Sequence, residues 1–179
     1  MTSGSPQPDP ADFLVIETLR NGGEIEIRAQ RPQDRSDLDA AIANMSDESL
    51  YRRFFVAKHH FSEEEAEYFL NIDFVNHVAL VAVGHENSKR AIVGAGRYVV
   101  IEPGMAEVAF GVVDEYQGQG IGAALMRNLS SIARQAGLNE LIAEVLASNG
   151  AMLRVFEKSG LKMHVEREDS VLHVLLSFE

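Results

Sequence analysis

The sequence predicts an α+β domain: a mixed, mostly antiparallel central sheet of about seven strands, flanked by helices. Three observations lead there. The middle of the chain is a run of apolar segments, "HVALVAVG", "AIVGAGRYVVI" and "AEVAFGVV", joined by short turns, as in antiparallel strands. Beyond residue 113 the order changes to helix, strand, helix and a closing hairpin. The chain has 179 residues, no cysteine and no apolar run near the ~18 residues of a membrane span, so a packed core must hold it.

Taken in order, "MTSGSPQPDP" is rich in Pro and Ser and lacks the basic start and apolar centre of a signal peptide. Residues 1–11 are therefore read as a disordered tail, 12–179 as one domain, and the location as cytoplasmic. "FLVIETL" and "EIEIRA" flank "RNGG", an Asn-Gly hairpin signal. "RPQDRSDLDAAIANM" reads as a helix, "DESLYRRFF" as a second opened by Ser46, and "SEEEAEYFL" as a third with a Ser62–Glu65 capping box. Between the first two apolar strands "HENSKR" reads as a loop. A helix of about residues 120–136 puts Ile121, Leu125, Leu129 and Ile132 on one face and stops at Gly137. The strand "LIAEVLA", a helix from Asn149 to Ser159 and the strands "LKMHVE" and "SVLHVLLSF" complete the domain.

The chemistry is concentrated in "EYQGQGIGAALM", where Gly118, Gly120 and Gly122 open a helix. Bare amides at a helix N-terminus close on an anion, usually a phosphate. A Walker loop is excluded because no Gly-Lys-Ser/Thr follows. Gly118, Gly120 and Ala123 spell G-x-G-x-x-A, yet too little chain remains for the parallel strands of a dinucleotide fold. The better fit is Q-x-x-G-x-G, carried by Gln117, Gly120 and Gly122 after a strand.

Here the sequence resembles the GNAT superfamily of acyl-CoA-dependent N-acyltransferases. "AEVAFGVVDEYQGQGIGAALM" matches its central strand, phosphate loop and helix; "LIAEVLASNGAMLRVFEKSGLK" matches its next strand and helix. The resemblance runs from about residue 24. It implies acetyl-CoA as co-substrate, with the pyrophosphate on the amides of Gly118, Gln119, Gly120, Ile121, Gly122 and Ala123. Counted from residue 24, the fourth and fifth strands would splay, and Gly111, Val112 and Val113 would hold the pantetheine arm by backbone hydrogen bonds. A glycine within a strand also fits a bulge there. Asn149 matches a position that binds the arm; an N-cap role is the alternative. Phe156 stands beside the arm where many members carry a tyrosine acid, and phenylalanine donates no proton.

Acyl transfer to an amine needs a proton acceptor. The resemblance offers two, Glu107, as in protein-lysine acetyltransferases, and Glu144, as in N-terminal acetyltransferases. The implied acceptor is a primary amine, on a protein lysine as in the Pat type or on a small molecule; a non-catalytic acyl-CoA sensor is the reading of another class. GNAT domains often pair through their C-terminal strands, so a homodimer is among the states implied. A net charge of −11 argues against nucleic acid. His59 and His60 are adjacent and lack a third ligand, so they are read as a surface pair and no metal is expected. Arg52 and Arg53 in "YRRFF" are read as surface, Phe54 and Phe55 as core, and Tyr98 and Tyr116 as packing residues.

Overall fold

Local turn chemistry sets up the first half of the sheet. The computed structural model describes residues 8–55, 61–86 and 88–179; residues 1–7 of the N-terminal segment and the His59–His60 pair lie outside them. Strands β1 (Leu14–Thr18) and β2 (Glu24–Ala29) pair antiparallel. Their turn is closed by Asn21, whose Oδ1 accepts from the Gly23 amide at 2.9 Å, with Gly22 at φ +81. Three short helices follow, α1 (Arg35–Ala43), α2 (Asp47–Phe54) and α3 (Glu63–Leu70). Ser46 caps α2, and the Ser62–Glu65 capping box opens α3 through reciprocal bonds of 2.8 and 3.2 Å.

The chain then runs through β3 (His77–Glu86), β4 (Lys89–Glu102) and β5 (Met105–Val112) as a meander. After it come α4 (Ile121–Gln135), β6 (Glu140–Leu146), α5 (Gly150–Glu157), β7 (Lys162–Glu168) and β8 (Val171–Ser177). The sheet order is β1-β2-β3-β4-β5-β6-β8-β7, mostly antiparallel and not closed. It has eight strands rather than about seven, because β1, upstream of residue 24, adds to the edge. The segment "HENSKR" is not a loop: His85 pairs with Arg90 and Glu86 with Lys89, so the strands continue almost to their turn. Its polar composition reflects an exposed sheet end, which single-residue turn signals do not separate from a loop.

Helix α4 lies on one face of the sheet and buries Ile121, Leu125, Leu129 and Ile132, each 5% exposed or less. The opposite face of β3 and β4 is covered by α1. Gly96 on β4 is dictated by the α4 face: a Cβ there would sit 2.5 Å from Phe110 Cδ1 and 3.0 Å from Leu129 Cδ1. Gly96→Ala is expected to lower unfolding stability by about 1–3 kcal/mol through overpacking, read as a lower urea midpoint at unchanged slope.

Candidate active site

Among the described residues, strands β5 and β6 are the only parallel neighbours in the sheet, and they pair through just Met105↔Glu140, Ala106↔Leu141 and Glu107↔Ile142. Beyond Glu107 they part, so the rest of β5 has a partner on one edge only. The expected splay is therefore present. Successive residues of a strand turn their amides to opposite edges. The Val113 amide is spent on Val93 O at 2.8 Å, so Val112 faces the vacated edge and Gly111 faces β4. Of the three residues expected to hold an arm, Val112 alone turns its backbone to the opening. No bulge falls at Gly111, which pairs in register with Ala95; the register breaks next to Val93 and Ile101 on β4 instead.

At the far end of β5 the chain enters the glycine loop. Gly118 and Gly120 have φ of +77 and +94, which alone favours glycine. Gly122 is different: it is helical, and its Cβ would stand 3.6 Å from Val155 Cγ2 at the cleft wall. Its bareness answers to close approach, not to backbone strain. The first bond of the α4 ladder runs from Ala124 N–H to Gly120 O at 3.0 Å, which leaves the amides of Ile121, Gly122 and Ala123 outside it. Gln117 fixes the loop, its Nε2 donating to Val112 O and to Ser49 Oγ, both at 3.0 Å. Asp114 ties α2 to the same junction by accepting from Ser46 N–H, Ser46 Oγ and Ser49 Oγ at 3.0, 2.7 and 3.1 Å. Burial pushes its carboxyl up, but these bonds hold it below the usual range.

These elements enclose a cleft of ≈ 260 Å³ that brings together Gly111, Val112, Gln117, Gly118, Gly120, Ile121, Gly122, Ala123 and Asn149. Asn149 is 9% exposed, and its Oδ1 caps α5 by accepting from Met152 N–H at 3.2 Å. Gln119 points instead at the β1–β2 turn, its Oε1 accepting from Asn21 at 3.4 Å. Val113 lines a second cavity behind β5. Phe156 is 1% exposed and packs on Phe110 with ring centroids 6.2 Å apart, a core position beneath the cleft. Tyr98 is buried, and burial raises its hydroxyl to about 12; Tyr116 donates to His85 O at 3.0 Å.

The cleft also gathers Arg20, Arg52, Arg53, Arg154 and Lys158 from three separate segments. In a chain of net charge −11 this is a local positive basin. Arg53 is not the surface residue expected from sequence. Burial pushes it down to about 10, and its guanidinium lies 4.5 Å from the Phe54 ring centroid. Glu107, exposed on the sheet face that carries Gly111, is a charge that favours the Arg53 cation. Glu144 is also exposed and pairs with His173 Nδ1 at 3.6 Å. Arg97 stacks on Phe69, 4.5 Å to the centroid, and donates to His77 Nε2 at 2.9 Å. Burial first, and the Arg97 charge second, push His77 down to about 4.

A split parallel strand pair, a glycine loop feeding a helix N-terminus and a cationic cleft between them define an acyltransferase that takes its acyl group from coenzyme A. The chain belongs to the Acetyltransferase (GNAT) family, whose model matches residues 44–161. It is 33% identical over 138 residues to Acetyltransferase PA5475 of Pseudomonas aeruginosa, covering 76% of this chain and 74% of that protein. Over 144 residues it is 32% identical to Acetyltransferase Pat of Mycolicibacterium smegmatis, covering 79% of this chain but 42% of Pat. The GNAT domain of S. lividans PAT superposes with a TM-score of 0.82 at 31% identity, covering 92% of this chain and 97% of that one. The reaction is acyl-CoA-dependent acetyl transfer.

His77 carries a pH signature. Its unfolded pKa is near 6.5, so between about pH 6.5 and 4 the unfolded chain binds a proton that the folded one refuses. Stability is fully present above that window and falls on acidification through it, by at most ~3 kcal/mol. His77→Gln keeps an acceptor for Arg97 and is expected to remove this increment from urea titrations at pH 7 and pH 4.5.

Proposed function

We propose that this domain transfers the acetyl group of acetyl-CoA directly to a primary amine in a ternary complex, with Glu107 as the proton acceptor. The observation that carries the reading is the junction itself: free amides of α4 and the unpaired edge of β5 open into one cationic cleft. The amides of Ile121, Gly122 and Ala123 would hold the pyrophosphate at the positive end of the helix dipole. Asn149 and the Val112 backbone would hold the pantetheine arm. Bound acetyl-CoA supplies the thioester carbonyl. An open-edge N–H of β5, from Val112 or from Phe110 two residues before it, would face that oxygen as charge develops.

The acceptor amine, ordinarily protonated with a pKa of about 10.4, must lose a proton before or during attack. Glu107 is open to solvent at the point where β5 and β6 separate, and takes that proton directly or through one water. The nitrogen–carbon bond forms, the carbon–sulfur bond breaks, and the thiolate leaves with the electron pair. Thiols have a pKa of about 8.5, so departure needs no neighbouring acid. That suits a site where Phe156 replaces tyrosine, Tyr98 is buried and Tyr116 already donates to a carbonyl.

The likeness to Pat and to the PAT domain favours a protein lysine as acceptor over a small-molecule amine. Glu107→Gln is expected to lower kcat by about 10²–10⁴-fold while the dissociation constant for acetyl-CoA stays unchanged. Gly122→Val is expected to abolish coenzyme A binding in calorimetry with little change in Tm. Binding without turnover on lysine peptides, polyamines and other amines would make the protein a sensor. Unimpaired turnover by Glu107→Gln would move the proton to Glu144 or to water.

A further inference from the structure

Behind β5 lies a second cavity, of ≈ 90 Å³, roofed by α1, α2 and α3 and floored by β4 and the Gly111–Val113 end of β5. Leu38, Ile42, Phe54, Phe61, Phe69 and Ile92 give it apolar walls. Met45, Arg53 and Gly111 line both this cavity and the coenzyme A cleft, so the two spaces meet there. A Cβ on Gly111 would be 3.6 Å from Arg53 Cγ and 3.8 Å from Met45 Cε, closing part of that doorway.

Four charged residues line this space: Arg35, already paired with Glu63, and Asp39 are exposed to solvent, whereas Arg53 and Arg97 are withdrawn from it. Among the described residues no carboxylate forms an ion pair with either, although the chain carries 27 acids against 16 Lys and Arg. The contrast with Arg28 is sharp: its two nitrogens each meet an Asp34 oxygen at 2.8 Å. Arg97 has a ring on one face and spends Nη1 on His77 and on Phe69 O at 3.4 Å. Among the described residues, Nη2 and Nε of Arg97 have no hydrogen-bond partner. Burial and the Arg53 charge together push Arg97 down to about 9. Two like charges facing one apolar cavity are costly unless an anion joins them.

We propose that this cavity receives the far end of a carboxylate-terminated acyl group on the coenzyme A donor, of the malonyl, succinyl or glutaryl class. The inference rests on the cleft's being the coenzyme A site. Position and charge together favour the acyl group over the acceptor. Along the β4–β5 ladder Glu107 sits opposite Val99, Ala109 opposite Arg97 and Gly111 opposite Ala95, and the cavity runs on toward Ile92 and Val113. Arg97 is thus one step along the same sheet face from the Gly111 doorway, within reach of a short acyl chain that enters there. An ammonium group is moreover repelled by Arg53 and Arg97, whereas a carboxylate pairs with them in the fork geometry that guanidinium offers. The transfer step balances as for acetyl: the amide gains the whole acyl group, its distal carboxylate unchanged, and the thiolate leaves.

The test is calorimetric titration of the protein with coenzyme A, butyryl-CoA and succinyl-CoA, the last two sharing a four-carbon acyl group that differs in its charged end. Succinyl-CoA is expected to bind about tenfold or more tightly than butyryl-CoA. Arg97→Met is expected to erase that preference and leave coenzyme A affinity unchanged, which also reports an intact fold; Arg97→Lys is expected to retain part of it. Equal binding of the two donors, or a preference for butyryl-CoA, overturns the proposal and makes the space a neutral pocket. No binding of coenzyme A itself overturns the parent reading instead.

Discussion

Three residue pairs, Met105↔Glu140, Ala106↔Leu141 and Glu107↔Ile142, hold the meander of β1–β5 to the C-terminal β6-α5-β7-β8 unit within the sheet. Everything of chemical interest depends on the pairing stopping there. Had it continued, the Val112 amide would be consumed by β6, as its carbonyl already is by Gln117 Nε2. Because it stops, an extended ligand finds a strand edge already straight, with its groups already turned outward. The mouth then has to be kept open. On one side Gln117 and Asp114 fasten the loop and α2 to the end of β5; on the other, Phe110 against Phe156 and the Asn149 cap hold α5 in place.

The phosphate loop illustrates how glycine serves two requirements in a few residues. Gly118 and Gly120 bend the chain through the left-handed region so that α4 starts immediately after β5. Gly122 bends nothing and clears the space above the helix end. The amides so exposed carry only partial charges, and the side-chain cations from β1, α2 and α5 supply the rest. The arrangement concentrates positive potential in an otherwise strongly acidic protein.

Much of this was legible in the sequence, for a physical reason. Element types, the α4 face and the Gly118–Gly122 loop depend on neighbours within a turn or two, and periodicity reports such neighbours well. Gly111, Val112 and Asn149 were reachable through resemblance, since they lie at fixed distances from that loop. What escaped depends on contacts between distant segments. Arg20, Arg154 and Lys158 look like ordinary surface cations until α5 and the β1 turn converge. Arg53 follows another arginine in a helix whose neighbour is solvated, and nothing local says which of the two turns inward. The edge toward which Val113 points was set by the phase of the β4 pairing, which a bulge at Val93 controls and no turn signal announces. Phe156, which the resemblance to the family set beside the arm, is instead part of the packing under the floor.

The short parallel join also has a consequence for how the molecule comes into being. Hairpin pairing between neighbours, as in β1–β2 and β3–β4–β5, costs little loop entropy, whereas the β5–β6 contact waits until a whole helix has been threaded back across the sheet. A nascent chain that has emerged only through α4 therefore owns the phosphate loop and the α2 side of the mouth but not the α5 side. Competence arrives only once β6 and α5 are in place, which makes the β7–β8 hairpin that pairs with β6, remote from any reacting atom, a step that commits the enzyme to its working shape.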